Sequence, residues 1–187
     1  MKVICISGKA QHGKDTTANF MKEVLEADGY TVLLTHYGDL VKYICKTFFG
    51  WNGVKDEYGR GLLQHVGTDV IRSQNPDYWV GFIRSILEFF PDEWDYVIIP
   101  DCRFPNEIDF MRNTGEDTIH IRVDRPDFES PLTIEQQQHI SETALDDSVA
   151  NYWISNTGSV DDLKDSVTCI INDITGYEQM VIEDFFN

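Results

Sequence analysis

The opening of this chain constrains its fold more than any other stretch. The apolar run Val3-Ile4-Cys5-Ile6 leads directly into Ser7-Gly8-Lys9-Ala10-Gln11-His12-Gly13-Lys14-Asp15-Thr16. A helix-period segment follows, in which Phe20, Met21, Val24 and Leu25 share one face. A buried strand, a glycine-framed turn and a helix, in that order, give a G-x-x-x-x-G-K match its meaning. Gly8 and Gly13 let the backbone curl until successive N–H groups point inward, as an anion requires. The helix adds the positive end of its dipole, and Lys14 is long enough to reach the outer phosphates of a polyphosphate. The residue after the lysine is Asp15, where a hydroxyl residue would usually meet Mg²⁺; Thr16 and Thr17 come next. A carboxylate there suits Mg²⁺, directly or through water, and suits a helix cap equally well.

Beyond the loop, apolar runs alternate with helix-period segments, the pattern of an α/β fold with a parallel sheet. Five strands are expected, at 2–7, 31–36, 95–100, 118–123 and 152–155. The last helix is the clearest, with Val160, Leu163, Val167, Ile170, Ile171 and Ile174 recurring at three- and four-residue steps. Gly29 and Gly115 stand where helix stops are expected, and Pro91 follows the aromatic pair Phe89-Phe90. With 187 residues the chain fits one domain. Two segments exceed what a simple crossover needs: a helical insertion at about 38–94, placed to bind a second substrate, and a polar stretch at about 124–138, read as a lid.

Charge narrows the partners. A net charge of −17 excludes general binding to nucleic acid, which needs a basic face. From Pro126 onward there are 13 acidic residues against Lys164 alone, while all seven arginines lie upstream. Cations that converge locally still bind anions, so the arginines mark where to look. No apolar run is long enough to cross a bilayer, and residues 3–6 are too short for a signal peptide, so a cytoplasmic protein without a membrane partner is expected. Cys5, Cys45, Cys102 and Cys169 lack metal or redox spacing and read as reduced thiols.

Further constellations carry chemistry. The run Tyr96-Val97-Ile98-Ile99-Pro100 delivers Asp101-Cys102-Arg103-Phe104-Pro105-Asn106-Glu107 to the carboxyl edge of the sheet, where open α/β sheets bind ligands. Asp101 there suits a metal shell or a substrate hydrogen bond, and Arg103 suits a bidentate grip on phosphate. Mutual pairing of the two, or capping of the next helix, is the plainer alternative. In the helix begun by Arg60, Leu62, Leu63, Val66 and Val70 are expected to turn inward. Gln64 and Thr68 then share a polar stripe with Arg60 and Arg72, suited to a base and a phosphate. Trp79 is placed to stack on a base or to fill the core. Arg122 leaves a strand and Arg125 follows it, at the start of the expected lid. His139-Ile140-Ser141-Glu142 invites a catalytic or metal role, but without a second ligand at suitable spacing a structural hydrogen-bonding role fits better.

Together these pieces resemble the deoxynucleoside monophosphate kinases of bacteriophages and their bacterial relatives. The resemblance rests on Gly8-Lys9 with Gly13-Lys14-Asp15-Thr16, on Leu63-Gln64-His65-Val66-Gly67-Thr68-Asp69 with Trp79, on the block 101–107, and on His139-Ile140-Ser141-Glu142. It implies an adenylate-kinase-like three-layer fold with a parallel five-stranded sheet, and transfer of the γ-phosphoryl group of ATP, with Mg²⁺, to a deoxynucleoside monophosphate. Lys14, Arg103 and Asp101 would be catalytic. Gly8, Lys9, Gly13, Lys14, Asp15, Thr16, Arg122 and Arg125 would hold the donor, with Asp15 and Asp101 on the metal. Lys9, Arg60, Gln64, Thr68, Arg72, Trp79, Asp101, Arg103 and Glu107 would hold the acceptor. The family often carries a basic residue inside the loop where this chain has Gln11. The resemblance is compatible with a homodimer and with a host cytoplasm if the chain is phage-encoded. Two other readings stay open: another small-molecule kinase on the same scaffold, such as a phosphomevalonate kinase, and a nucleotide-binding regulator without turnover.

Overall fold

The computed structural model describes residues 1–112 and 117–176; the expected helix stop at Gly115 and the acidic tail 183–187 lie outside the described residues. Five parallel strands form one sheet: β1 (Lys2–Ser7), β2 (Val32–Leu34), β3 (Tyr96–Cys102), β4 (Asp117–Asp124) and β5 (Tyr152–Ser155). Their order in space is β2-β3-β1-β4-β5. The central strand β1 pairs Val3 with Val97 and Ile4 with Ile98 on one side, and Cys5 with His120 and Ser7 with Arg122 on the other. Strand residues alternate between faces, so a run that is apolar at every position buries both faces. Val3, Cys5, Val97 and Ile99 accordingly join one core cluster, and Ile4, Ile6, Ile98 and Ile121 the other.

Helices cover both faces and give three layers. Behind the sheet lie α1 (Lys14–Ala27) and α8 (Val160–Thr175), with Met21, Leu25, Val167 and Ile171 fully buried. A capping box starts α8, since the Ser159 hydroxyl accepts from the Asp162 N–H and the Asp162 carboxylate accepts from the Ser159 N–H. Val160, the first residue of α8, is exposed rather than part of the buried stripe.

In front lie α2 (Gly38–Phe49), α3 (Glu57–Gln64), a π-helical segment (His65–Arg72), α4 (Tyr78–Phe89) and α5 (Pro105–Arg112). Short helices α6 (Ile134–Gln138) and α7 (Ile140–Thr143) follow β4. The stretch between β2 and β3 is therefore helical, as its sequence suggests. The π-helical turn corrects one expectation. Its wider i→i+5 bonding rotates later residues away from an α-helical stripe, and Val70 is exposed while Val66 stays buried.

Candidate active site

The phosphate loop hangs from the carboxyl end of β1, and its shape follows from its glycines. Gly8 and Gly13 adopt φ of 147° and 102°, and Gln11 has a φ of 62°. A side chain at Gly8 would meet the Val123 carbonyl at 2.2 Å, and one at Gly13 would meet Asn156 Nδ2 at 2.5 Å. The loop is thus clamped between β4 and the turn after β5. Asn156 Nδ2 adds to this clamp by donating to the His12 carbonyl.

Lys14 lies almost buried and donates to the carbonyls of Gly8 (2.9 Å) and Lys9 (2.8 Å). Burial, followed by repulsion from Arg103, pulls its pKa down to about 7. Asp15 does not cap α1. Its carboxylate takes a hydrogen bond from His36 Nε2 at 3.1 Å, which lowers the Asp15 pKa and raises that of His36. Thr16 is exposed on the first turn of α1, away from the cleft.

A cleft of about 590 Å³ opens from the loop toward the helical insertion, a size suited to a small-molecule ligand. Lys14, Asp15, Asp101, Arg103 and Glu142 line its loop end; Arg60, Gln64, Thr68, Arg72 and Trp79 line the other. Residues of the expected polar stripe, from α3 and the π-helical segment, thus line the same cavity as Lys14 and Asp15. Trp79 forms a wall rather than a free platform: it is 3% exposed and its Nε1 donates to the Gly67 carbonyl at 2.9 Å.

Several expected ligand groups already have protein partners. Asp101 accepts from the N–H groups of Tyr37 (3.0 Å) and Gly38 (2.8 Å), fixing the turn after β2. Arg72 and Glu107 form a buried ion pair. Arg72 also donates to Pro76 and Asn106 and stacks 3.9 Å from the Phe104 ring centroid. The second oxygen of Glu107 accepts from the N–H groups of Arg103 and Phe104. Burial pushes the Glu107 carboxyl up to about 7 against the pull of Arg72. These residues line the cleft, yet their polar atoms serve to shape it.

Three of the cations expected to hold the donor stand off the cleft wall. Lys9 pairs with Asp146 and donates to the Glu142 carbonyl. Arg122, also nearly buried, pairs with Asp124 and Asp146 and donates to the Leu145 carbonyl. Arg125 lies over the Phe128 ring. For Lys9 and Arg122 the reason is shared: the acidic second half of the chain supplies carboxylates within reach of them.

The structure also brings forward residues that the sequence did not single out. His36, Lys42 and Lys55 line the cleft. Although Lys55 as a residue is exposed, its ammonium end lies against the cleft wall, and that burial, followed by repulsion from Lys42, lowers its pKa. Among the described residues the Lys55 ammonium has no ion-pair or hydrogen-bond partner, and the Arg60 guanidinium donates only to the Lys55 carbonyl. Free cations thus face the cavity from the side of the helical insertion. A partly exposed Arg103 faces it from the other, held by Glu142 at 2.5 Å. For Mg²⁺, no group of three or more His, Cys, Asp or Glu side chains gathers among the described residues. The ion commonly takes one or two carboxylates plus substrate phosphates, and Asp15, exposed beside Lys14, fits that pattern.

Known proteins resemble the chain in sequence and in fold. The chain matches the family model described as "Deoxynucleotide monophosphate kinase" over residues 39–167. It is 35% identical over 115 residues to the deoxynucleotide monophosphate kinase of Enterobacteria phage T4, covering 60% of this chain and 45% of that protein. It is 29% identical over 123 residues to the protein of the same name from Escherichia phage RB69, covering 64% and 48%. The chain therefore spans about half the length of these two relatives. Among solved structures, a Mycobacterium tuberculosis APS kinase in complex with AMPPNP and APS superposes with a TM-score of 0.51 at 12% identity, covering 91% of this chain and 97% of that one. That likeness carries the fold. The residues matched by the family model begin after the phosphate loop. The chain belongs to the deoxynucleotide monophosphate kinase family.

Proposed function

We propose that this chain transfers the γ-phosphoryl group of ATP to a deoxynucleoside 5′-monophosphate, giving the diphosphate, in the cytoplasm of the cell or host. One observation carries the reading: a single cavity joins the phosphate loop, with Lys14 and Arg103, to a second set of free cations at Lys55 and Arg60. Two anions bound at those ends meet between them. Phosphoryl transfer asks little covalent chemistry of the protein, only in-line positioning and neutralisation of charge. The attacking phosphate oxygen is already ionised at neutral pH, so no general base is needed. Lys14 and Arg103 take charge from the transferring group, and Arg103 gives a planar fork to its oxygens. Mg²⁺, held beside Asp15 with the donor phosphates, would supply further charge neutralisation there. Lys55 and Arg60 hold the acceptor phosphate, while Gln64, Thr68 and the Trp79 wall receive its base. Closure of segment 124–138 keeps water from the phosphoryl group.

The amide, hydroxyl and indole groups at the acceptor end favour a nucleobase over an isoprenoid such as phosphomevalonate. An ATP-consumption assay with a panel of deoxynucleoside monophosphates, ribonucleotides and phosphomevalonate tests the reading. Turnover is expected with at least one deoxynucleotide, and Lys14→Ala is expected to abolish it. Consumption of ATP with none of the panel would favour the regulator.

A further inference from the structure

The phosphate loop is not empty of anion: the protein's own Glu142 reaches into it. One oxygen of the Glu142 carboxylate accepts from the Ala10 N–H at 3.1 Å, and the other accepts from Arg103 Nη1 at 2.5 Å. The side chain is only 7% exposed. Its charge also raises the pKa of Lys14, which places it within the field of the loop lysine. A loop amide, a guanidinium fork and the lysine field are the three groups a phosphoryl group would use.

The segment carrying Glu142 is tied to both sides of the cleft. His139 Nε2 lies 3.2 Å from Asp69 of the π-helical segment, and its Nδ1 lies 2.8 Å from the Ser141 hydroxyl. Gln136 Nε2 donates to the Glu57 carbonyl at the start of α3. On the loop side, Lys9 Nζ donates to the Glu142 carbonyl at 2.7 Å. Segment 133–143 therefore bridges the acceptor helices and the phosphate loop, and the Glu142 carboxylate is the part of the bridge that lies in the anion site.

We propose that Glu142 is an internal anion that keeps the Ala10 N–H and Arg103 in a phosphate-receiving arrangement while the site is vacant, and that the donor polyphosphate displaces it. The proposal rests on the reading of the loop as the donor site. A polyphosphate and a carboxylate cannot both occupy the position between Ala10 and Arg103, so their binding is mutually exclusive. Donor binding then releases α7 from the loop while His139 and Gln136 still hold its segment to α3 and the π-helical segment. Charging the donor site is in this way transmitted to the walls of the acceptor site.

The probe is tripolyphosphate, titrated calorimetrically into the full chain. Glu142→Gln keeps the size of the side chain and removes its charge. A conformer that blocks the site about nine times in ten weakens apparent affinity about tenfold, so the variant should bind tripolyphosphate about tenfold more tightly than the wild type. It should also show a lower KM for ATP without a higher kcat, since Arg103 loses its holder. Tight binding by the wild type with no gain in a variant of unchanged melting temperature would overturn the proposal alone. No binding by either protein would overturn the reading of the loop as well. Hydrogen exchange on the wild type tests the same point without a variant. Tripolyphosphate should slow exchange in the loop 8–16 and quicken it in 140–143, and slowing of both together would overturn the displacement.

Discussion

Replacing Glu107 by glutamine tests whether the cleft is built on a buried ion pair. The Glu107 side chain is 3% exposed and that of Arg72 is 8%. Three donors converge on the carboxylate: the Arg72 guanidinium and the N–H groups of Arg103 and Phe104. Glutamine has one acceptor oxygen, so its NH₂ group must face a donor, and the Arg72 charge is left uncompensated. Breaking a buried pair by removing one partner costs about 3–5 kcal/mol, against a total stability on the order of 10 kcal/mol. In a domain of this size each kcal/mol moves Tm by about 2–4 °C, so Glu107→Gln should melt roughly 6–20 °C below the wild type. The assay is thermal unfolding of wild type, Glu107→Gln, Arg72→Met and the double variant at a pH well above the Glu107 pKa of about 7, where the pair is ionised. The double variant should lose less than the sum of the two singles by at least about 1 kcal/mol, the mark of a direct interaction. A Tm for Glu107→Gln within about 3 °C of wild type would refute the reasoning and return Arg72 and Glu107 to the substrate.

Arg103→Lys keeps the charge but loses the fork; one lost charge-assisted hydrogen bond, about 1.5–3 kcal/mol, should lower kcat/KM roughly ten- to hundredfold with little change in Tm, and unchanged kinetics would remove Arg103 from the site. Gln64→Ala should raise KM for the monophosphate and leave that for ATP alone, read by steady-state kinetics with each substrate varied. Lys55→Ala should do the same, and an equal effect on both substrates would place Lys55 elsewhere. Binding of metal-free tripolyphosphate should draw a proton onto Lys14 near pH 8.5. There Lys14, with a pKa of about 7, is largely neutral, and the incoming anion favours its charged form. Near pH 5.5 the lysine is charged both before and after binding, so calorimetry in buffers of different ionisation enthalpy should show, beyond the protons that tripolyphosphate itself exchanges, a contribution from Lys14 at the higher pH only.

The sheet was legible because its signals are local. Val3 to Ile6 and Tyr96 to Ile99 are apolar at every position, which only strands buried on both faces tolerate, and the glycines at 8 and 13 mark the turn between strand and helix. Asp101 and Arg103 could be placed at the carboxyl edge of β3 for the same reason. The π-helical segment was not legible, because apolar spacing over a single turn does not distinguish the wider winding from an α-helix, and Val70 consequently turned outward. Nor were the partners of the charged groups legible. Glu142 meets Ala10 and Arg103 from 132 and 39 residues away, and Lys9 meets Asp146 from 137. Such pairings belong to the folded shape, since any of the carboxylates after Pro126 would have looked an equal candidate. Lys55 escaped notice because nothing in its neighbours distinguishes a cation that faces a cleft from one that faces solvent.

The placement of the phosphate loop bears on how the molecule comes into being. Its residues are synthesised before their partners, and β1 has nothing to pair with until β3 and β4 exist. Gly8 rests against the Val123 carbonyl, and the His12 carbonyl waits for Asn156. Closing contacts this distant in sequence is slow, because the chain entropy is lost before the contacts repay it. A nascent chain that stops short of Asn156 therefore carries the whole G-x-x-x-x-G-K sequence without the cradle it encodes, and residues 8–14 acquire their chemistry only when the turn after β5 is made.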